Sequence, residues 1–303
     1  MPDLLLSLDN VGKTFGAGLD GAREPVMALD GISVGVGAAE IVGVAGARGA
    51  GTSTLLRIAA GLVHADRGIV RWRGAASCPR HFAAHVPADE ATHAFLSVRE
   101  ALRFAAVQRE LDDAPRRAGE DPWPVRLDLA ARLDRRVGEL PSAERRVVAL
   151  AAALQGSPGL LALDGVLDGL DPAARREVRR VLHVIAATGV GVLLAASDLG
   201  LLAGVAHRAA LLRAGRIVAW IDPLHSAPGA ALELAVGAPR AAAARLRRHV
   251  AAACRRDGAV RVPLADRSAE DVLALCRAEG IRVLRSRVVT ESPGRWTVRP
   301  THG

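Results

Sequence analysis

Between an apolar run ending at Ala45 and the apolar stretch 55–60 lies the segment GARGAGTST, residues 46–54, whose first six positions hold three glycines. A strand that ends in such a turn and passes directly into a helix predicts a strand–loop–helix unit, with the helix packed back on a sheet. The turn aims successive backbone N–H groups and a helix N-terminus at one point, which favours an anion. The spacing matches G-x-x-x-x-G-K-[ST] at Gly46, Gly51 and Ser53, but Thr52 stands where that pattern has lysine. The candidate nucleotide-binding residues are therefore Gly46, Ala47, Arg48, Gly49, Ala50, Gly51, Thr52, Ser53 and Thr54. Loss of the lysine removes a charge-assisted hydrogen bond of about 1.5–3 kcal/mol from nucleotide binding. Arg48 can fold back onto phosphate, although its place in the loop favours an exposed arginine facing water or a partner.

Around the loop, β-type runs fall at 4–8, 32–36, 40–45 and 69–73. Helical character follows over 97–111, a Pro- and charge-rich interruption (DDAPRRAGEDPWP) intervenes, and helical periodicity returns over 125–133. Strand-like runs at 160–163, 190–196, 209–212 and 217–220, with a helix over 172–185, imply a mostly parallel sheet. The Pro/Gly/Ala-rich passage 223–239 reads as a linker. Beyond it come a helix over 240–256, a strand at 259–262, a helix over 268–279 behind a Ser268–Asp271 capping box, and a strand at 281–289. The expected division is a main domain over 1–222, with a helical subdomain at about 89–156, a linker over 223–239 and a small α/β domain over 240–303.

Composition narrows the classes further. Half of the 303 residues are hydrophobic, which excludes disorder as the main state, while aromatics at 3% and the absence of Tyr leave an aliphatic core. The net charge of +8 invites a nucleic-acid or anionic-membrane partner. However, Lys13 is the only lysine, and arginines occur in scattered pairs such as Arg116-Arg117, Arg135-Arg136 and Arg175-Arg176, without aromatics between them to stack bases. No nucleic-acid partner is expected. Cys78, Cys254 and Cys276 have no paired spacing, which points to a reducing compartment. The first residues lack a basic start before a long apolar core, and the apolar stretch 181–196 is too short and too interrupted to cross a bilayer as a helix. A membrane role would then run through a partner.

The text framing the loop resembles the nucleotide-binding subunit of ABC transporters over about residues 4–220. The similar segments are NVGKTFG, ALDGISV, LSVREALRFAA, RRVGELPSAERRVVALAAAL, GLLALDGVLDGLDP and VLLAASDLGLLAGVAHRAALLRAGRIVA. The resemblance implies an α/β P-loop NTPase fold of ABC-ATPase type, with a mostly parallel sheet core, an antiparallel β part and a helical subdomain, followed by the small C-terminal α/β domain. It implies ATP and Mg²⁺ as ligands, a second ABC subunit and an integral-membrane transporter subunit as partners, and a cytoplasmic location on the inner face of the membrane. It sets Phe15 at the adenine-stacking position, Ser53 and Asp164 at the Mg²⁺ positions, and Asp171 in the D-loop at the dimer interface. The residues alone leave other readings open: Phe15 as a core or edge aromatic, Asp164 as a strand-end cap, and Asp171 as a helix N-cap before Pro172.

Departures from the family pattern fall on its chemical positions. The LSGGQ signature falls on Leu140, Pro141, Ser142, Ala143 and Glu144; the Q-loop glutamine on Ala88; the water-polarising glutamate on Gly165; and the switch histidine on Ser197. Gly165 has no side chain to orient water, and Pro141 lacks a backbone donor. The family works as head-to-tail dimers in which ATP lies between one P-loop and the other signature. Pairing with itself or with a complete relative, this chain would make no whole composite site. The leading expectation is a degenerate, structural or regulatory subunit of a membrane transport complex, an exporter more than an importer, with hydrolysis weak or absent. Two alternatives stand beside it: an ordinary ATP-hydrolysing transporter subunit, and a nucleic-acid-associated ABC-type ATPase.

Overall fold

Strand β1, Leu4–Phe15, buries Leu5, Leu6, Leu8 and Val11, and pairs antiparallel with β2, Val26–Gly37, and with β4, Arg67–Trp72. In the computed structural model, residues 4–16, 25–79, 81–88, 94–108, 122–221, 230–247, 250, 253–256, 258–263, 269–290 and 298–299 are described. The chain divides into two compact units, Met1–Trp220 with Pro300–Gly303, and Ile221–Arg299.

In the first unit a second, larger sheet has at its centre β3, Ile41–Ala45, flanked in parallel by β7, Gly191–Ala196, and β8, Arg208–Arg213. Beyond β7 lie β6, Leu160–Asp164, and β5, Ala83–Val86, both parallel, while β9, Arg216–Ile221, follows β8. Every residue of β3, β6 and β7 is buried, as parallel strands covered on both faces require. On one face helix α1, Thr52–Ala59, lays Leu55, Leu56 and Ile58 between Val42, Val44 and Leu193 of this sheet and Leu6, Leu8 and Ile32 of the antiparallel one. On the other face the helices α4, Ser142–Ala153, and α5, Pro172–Ala187, cover Leu161, Leu163, Val192 and Leu194, and the short α6, Leu199–Leu202, adds Leu202.

The helical section begins with α2, Val98–Gln108, behind a reciprocal cap in which Ser97 N–H donates to Glu100 at 2.8 Å and Glu100 N–H donates to the Ser97 hydroxyl at 3.2 Å. The single helix predicted over 125–133 is corrected: a short α3, Trp123–Arg126, is followed by a 3-10 turn, Ala130–Arg132. Asp128 at φ 58° breaks the helix between them, and Leu127 and Leu129, two residues apart, are both buried.

The second unit also differs from the expectation. Residues 230–236, read as linker from their neighbours' Pro, Gly and Ala content, form strand β10, Ala230–Val236, which pairs with two others. The helix expected over 240–256 is α7, Pro239–Leu246, with β11, Cys254–Arg256, after it. With β12, Ala259–Pro263, α8, Ala269–Ala278, and β13, Val283–Thr290, the unit is βαββαβ, its antiparallel sheet in the order β11-β12-β10-β13. Its core holds Leu232, Leu234, Leu246, Val260, Val262, Val272 and Cys276. Ser268 of the expected capping box lies outside the described residues.

Candidate nucleotide-binding site

The glycine-rich loop leaves β3 at Ala45 and enters α1 at Thr52, as the strand–loop–helix reading predicts. Gly51 sits at φ 105°, and a Cβ there would collide with the Ala28 carbonyl of β2, so only glycine fits. Gly46 has Ala50 Cβ, the Leu212 carbonyl and Thr52 around it at 2.8–3.1 Å from where a Cβ would stand. The turn between β8 and β9 props the loop from outside, Gly215 N–H donating to the Ala50 carbonyl at 2.9 Å. Among the described residues, the N–H groups of Arg48, Gly49, Gly51, Thr52 and Ser53 meet no acceptor. Ala47, Arg48 and Gly49 are exposed, while Thr52, Ser53 and Thr54 are half-buried. A row of outward donors at a helix N-terminus is the arrangement that holds phosphate oxygens.

Three chain segments converge on the end of β7. Gly46 N–H donates to the Ala196 carbonyl and Gly165 N–H to the Ala195 carbonyl, each at 3.1 Å. Ser197, the next residue, donates to Asp168 Oδ1 through its N–H at 3.2 Å and its hydroxyl at 3.0 Å. Asp164 ends β6 at 9% exposure, and among the described residues its carboxylate makes no hydrogen bond or ion pair. Ala88 approaches from β5, its Cβ 3.6 Å from where a Cβ on Gly165 would stand. The positions Thr52, Ala88, Asp164, Gly165 and Ser197 therefore gather at one end of the sheet. Gly165 lies at φ 59°, with Asp168 Oδ2 3.0 Å from the site of a Cβ.

Two residues of this cluster escaped the sequence reading. Asp168 follows Asp164 by four positions in a turn closed by its own N–H on the Gly165 carbonyl at 2.9 Å. His85 lies on β5 with Nε2 buried and, among the described residues, unpartnered. Burial pushes the His85 pKa down; the Asp164 charge opposes this and the Arg57 charge adds to it. An acidic residue within a turn after a strand-end aspartate was the available signal for Asp168. For His85, a polar residue within the apolar strand was the only one.

Other expected residues stand apart. Phe15, at the end of β1 and 42% exposed, pairs in register with Val26, two residues from the Ala28 that abuts Gly51. The Lys13 ammonium lies 5.3 Å from its ring centroid. Asp171 caps α5, accepting from Ala173 and Ala174 N–H at 2.8 and 2.9 Å. Leu140 and Ala143 are buried and Pro141 is exposed at the start of α4; Glu144 pairs with Arg132 at 2.7 Å. Among the described residues no hydrogen bond joins 140–144 to the loop. Its helix reaches the cluster through Arg146, whose guanidinium donates to the Ala88 carbonyl at 3.5 Å.

Whether Mg²⁺ fits depends on the donors present. The unpartnered, nine-tenths-buried Asp164 carboxylate and the Ser53 hydroxyl are oxygen ligands of the kind this ion takes alongside phosphate and water, whereas Ala88 and Gly165 contribute none.

Comparison with known proteins agrees with this geometry. Residues 29–167 match the family described as ABC transporter. The chain is 29% identical over 208 residues to the lipopolysaccharide export system ATP-binding protein LptB of Acidithiobacillus ferridurans, covering 66% of this chain and 86% of that protein. It is 34% identical over 206 residues to the ABC transporter ATP-binding/permease protein Rv1747 of Mycobacterium tuberculosis, a match covering 64% of this chain but only 23% of that longer protein. Among solved structures, cbiO1 from Clostridium perfringens superposes with a TM-score of 0.63 at 22% identity, over 73% of this chain and 89% of that one. A nucleotide-free ATP-binding cassette from an ABC transporter gives 0.62 at 20% identity, over 72% and 91%. Over residues 29–167 the chain matches the ATP-binding domain of the ABC transporter family.

Proposed function

We propose that this chain is the nucleotide-binding subunit of a membrane transport complex in which the cassette acts as a structural or regulatory half and does not turn ATP over. What carries the reading is one cluster, in which Ala88, Gly165 and Ser197 meet the end of β7 without an amide, a carboxylate or an imidazole among them. The loop keeps its backbone donors, so residues 46–54 bind the nucleotide phosphates, Phe15 meets the base, and Asp164 with Ser53 holds Mg²⁺. A bound Mg²⁺ supplies charge neutralisation for the phosphates. Gly165 offers no side chain to take a proton from attacking water.

Phe95 at 90% exposure, together with exposed Val107 and Phe104, leaves an apolar surface beside α2, where the membrane subunit docks on this reading. Among the described residues no helix is long and apolar enough to cross a membrane; on this reading the chain sits on the cytoplasmic face through the α2 contact. Asp171 faces a second ABC subunit, a copy or a complete relative. Relatives carry the names of export and of import systems, so export rests on the additional unit after 220.

The test is phosphate release by the purified full chain with and without Mg²⁺. Release at background is the expected result. Turnover of about one per second or more that disappears in Asp164→Ala would overturn the proposal.

A further inference from the structure

The turn after β6 puts a carboxylate at the end of β7, from which the glycine-rich loop also hangs. Gly46, the first residue of the loop, and Gly165 hang on consecutive carbonyls of β7, Ala196 and Ala195. Ser197 continues that strand and fastens Asp168 Oδ1 with two hydrogen bonds at 3.0 and 3.2 Å. The other oxygen of Asp168 lies 3.0 Å from the point at which a side chain on Gly165 would begin. Asp168 thus occupies the space beside Gly165 with a carboxylate. The lysine ammonium that would offset this charge is absent, since Thr52 occupies the lysine position that reaches the β- and γ-phosphates. The Ser197 hydroxyl, the nearby neutral donor, is already given to Asp168.

The two ends of the site therefore treat phosphate differently. The loop N–H groups serve the inner phosphates, which a diphosphate and a triphosphate share. A third phosphate adds negative charge at the end where the Asp168 carboxylate stands, whereas Asp164 is taken up by Mg²⁺ on the reading above. We infer that this site selects a nucleoside diphosphate over a triphosphate, with Asp168, held in place by Ser197, as the discriminating residue. The inference rests on the reading of residues 46–54 as a nucleotide site and names the ligand class that site prefers.

The experiment is a binding titration of the full chain with fluorescent ADP and a non-hydrolysable ATP analogue at one fixed free Mg²⁺ concentration. The native chain binds the diphosphate about tenfold more tightly, a difference of about 1.4 kcal/mol. Asp168→Asn, which keeps the shape and removes the charge, raises triphosphate affinity about tenfold and moves diphosphate affinity less than about twofold. Asp168→Ser gives the same comparison if the Asn variant fails to fold by circular dichroism. Equal affinities in the native chain, or a variant that shifts both ligands alike, would overturn the selectivity. Binding of neither ligand would overturn the nucleotide reading itself, and the selectivity with it.

Discussion

At single positions, the chemistry of the cluster is governed by what backbone and neighbours allow. Thr52→Lys should raise nucleotide affinity by about tenfold or more, the scale of a restored charge-assisted hydrogen bond of about 1.5–3 kcal/mol. Phosphate release should stay at background; a titration showing no gain would remove the loop from the binding site. Gly165→Glu is a different case. Its φ of 59° is strained for a residue with a side chain, and the new Cβ would stand 3.0 Å from Asp168 Oδ2. The substitution should destabilise the chain by about 1–2 kcal/mol and restore no turnover. A thermal melt unchanged from the native chain would contradict the conformation at 165. Sequence alone gave the loop, because glycines at fixed intervals between a strand and a helix have few other uses. It could not give the Asp168–Ser197 pair, since partners 29 residues apart meet only once β6 and β7 are neighbours.

Among the elements, strands were legible where burial on both faces makes continuous apolar runs, as at 160–163 and 190–196. β10 was harder. Its Leu232, Leu234 and Val236 alternate correctly and are buried, but Gly and Pro on either side outweighed five informative residues. The short break at Asp128 was also unreadable, because a positive φ at aspartate leaves no mark on apolar spacing. Long-range pairs between elements carry a prediction of their own. Glu40, just before β3, accepts from Gly37 N–H and from Arg208 Nε of β8, both at 2.7 Å, while Arg208 also donates to the Gly35 carbonyl at 2.6 Å. Burial pushes the Glu40 pKa up, but the Arg208 and Gly37 hydrogen bonds and the Arg208 and His207 charges outweigh it, so the net shift is downward. A lowered folded pKa gives stability that is full above the ordinary carboxylate range and is lost as pH falls through the depressed value. Glu40→Gln should therefore cost about 1 kcal/mol near neutral pH, allowing for solvent screening of a partly exposed pair. Urea midpoints of variant and native chain should converge in acid. A gap that persists at low pH would assign the loss to packing.

For the molecule as a whole, the arginine excess is spread among the elements. Arg67 and Arg216 both pair with Asp30, Arg132 with Glu144, Arg208 with Glu40, and Arg261 with Glu233. Most of these pairs tie strand to strand, while Arg132–Glu144 ties a 3-10 turn to helix α4, and the net charge of +8 is the excess of 40 basic over 32 acidic residues. The two units keep separate apolar cores: no residue of the cluster around Leu232, Leu234 and Val260 belongs to either cluster of the first unit. A domain this small buries a modest fraction of its surface, so its margin of stability is narrow. Leu234, fully buried on the central strand β10, is the residue on which that margin turns. Leu234→Ala should cost about 2–5 kcal/mol, enough to unfold most of the second unit at ambient temperature. In hydrogen exchange, β10, β12 and β13 should lose protection while β3, β6 and α1 keep theirs, and ADP affinity should be unchanged. Loss of protection that spread into β3 or α1 would mean that the phosphate loop depends on the second core. The βαββαβ unit would then be part of the scaffold of the site, and its removal could not leave nucleotide binding intact.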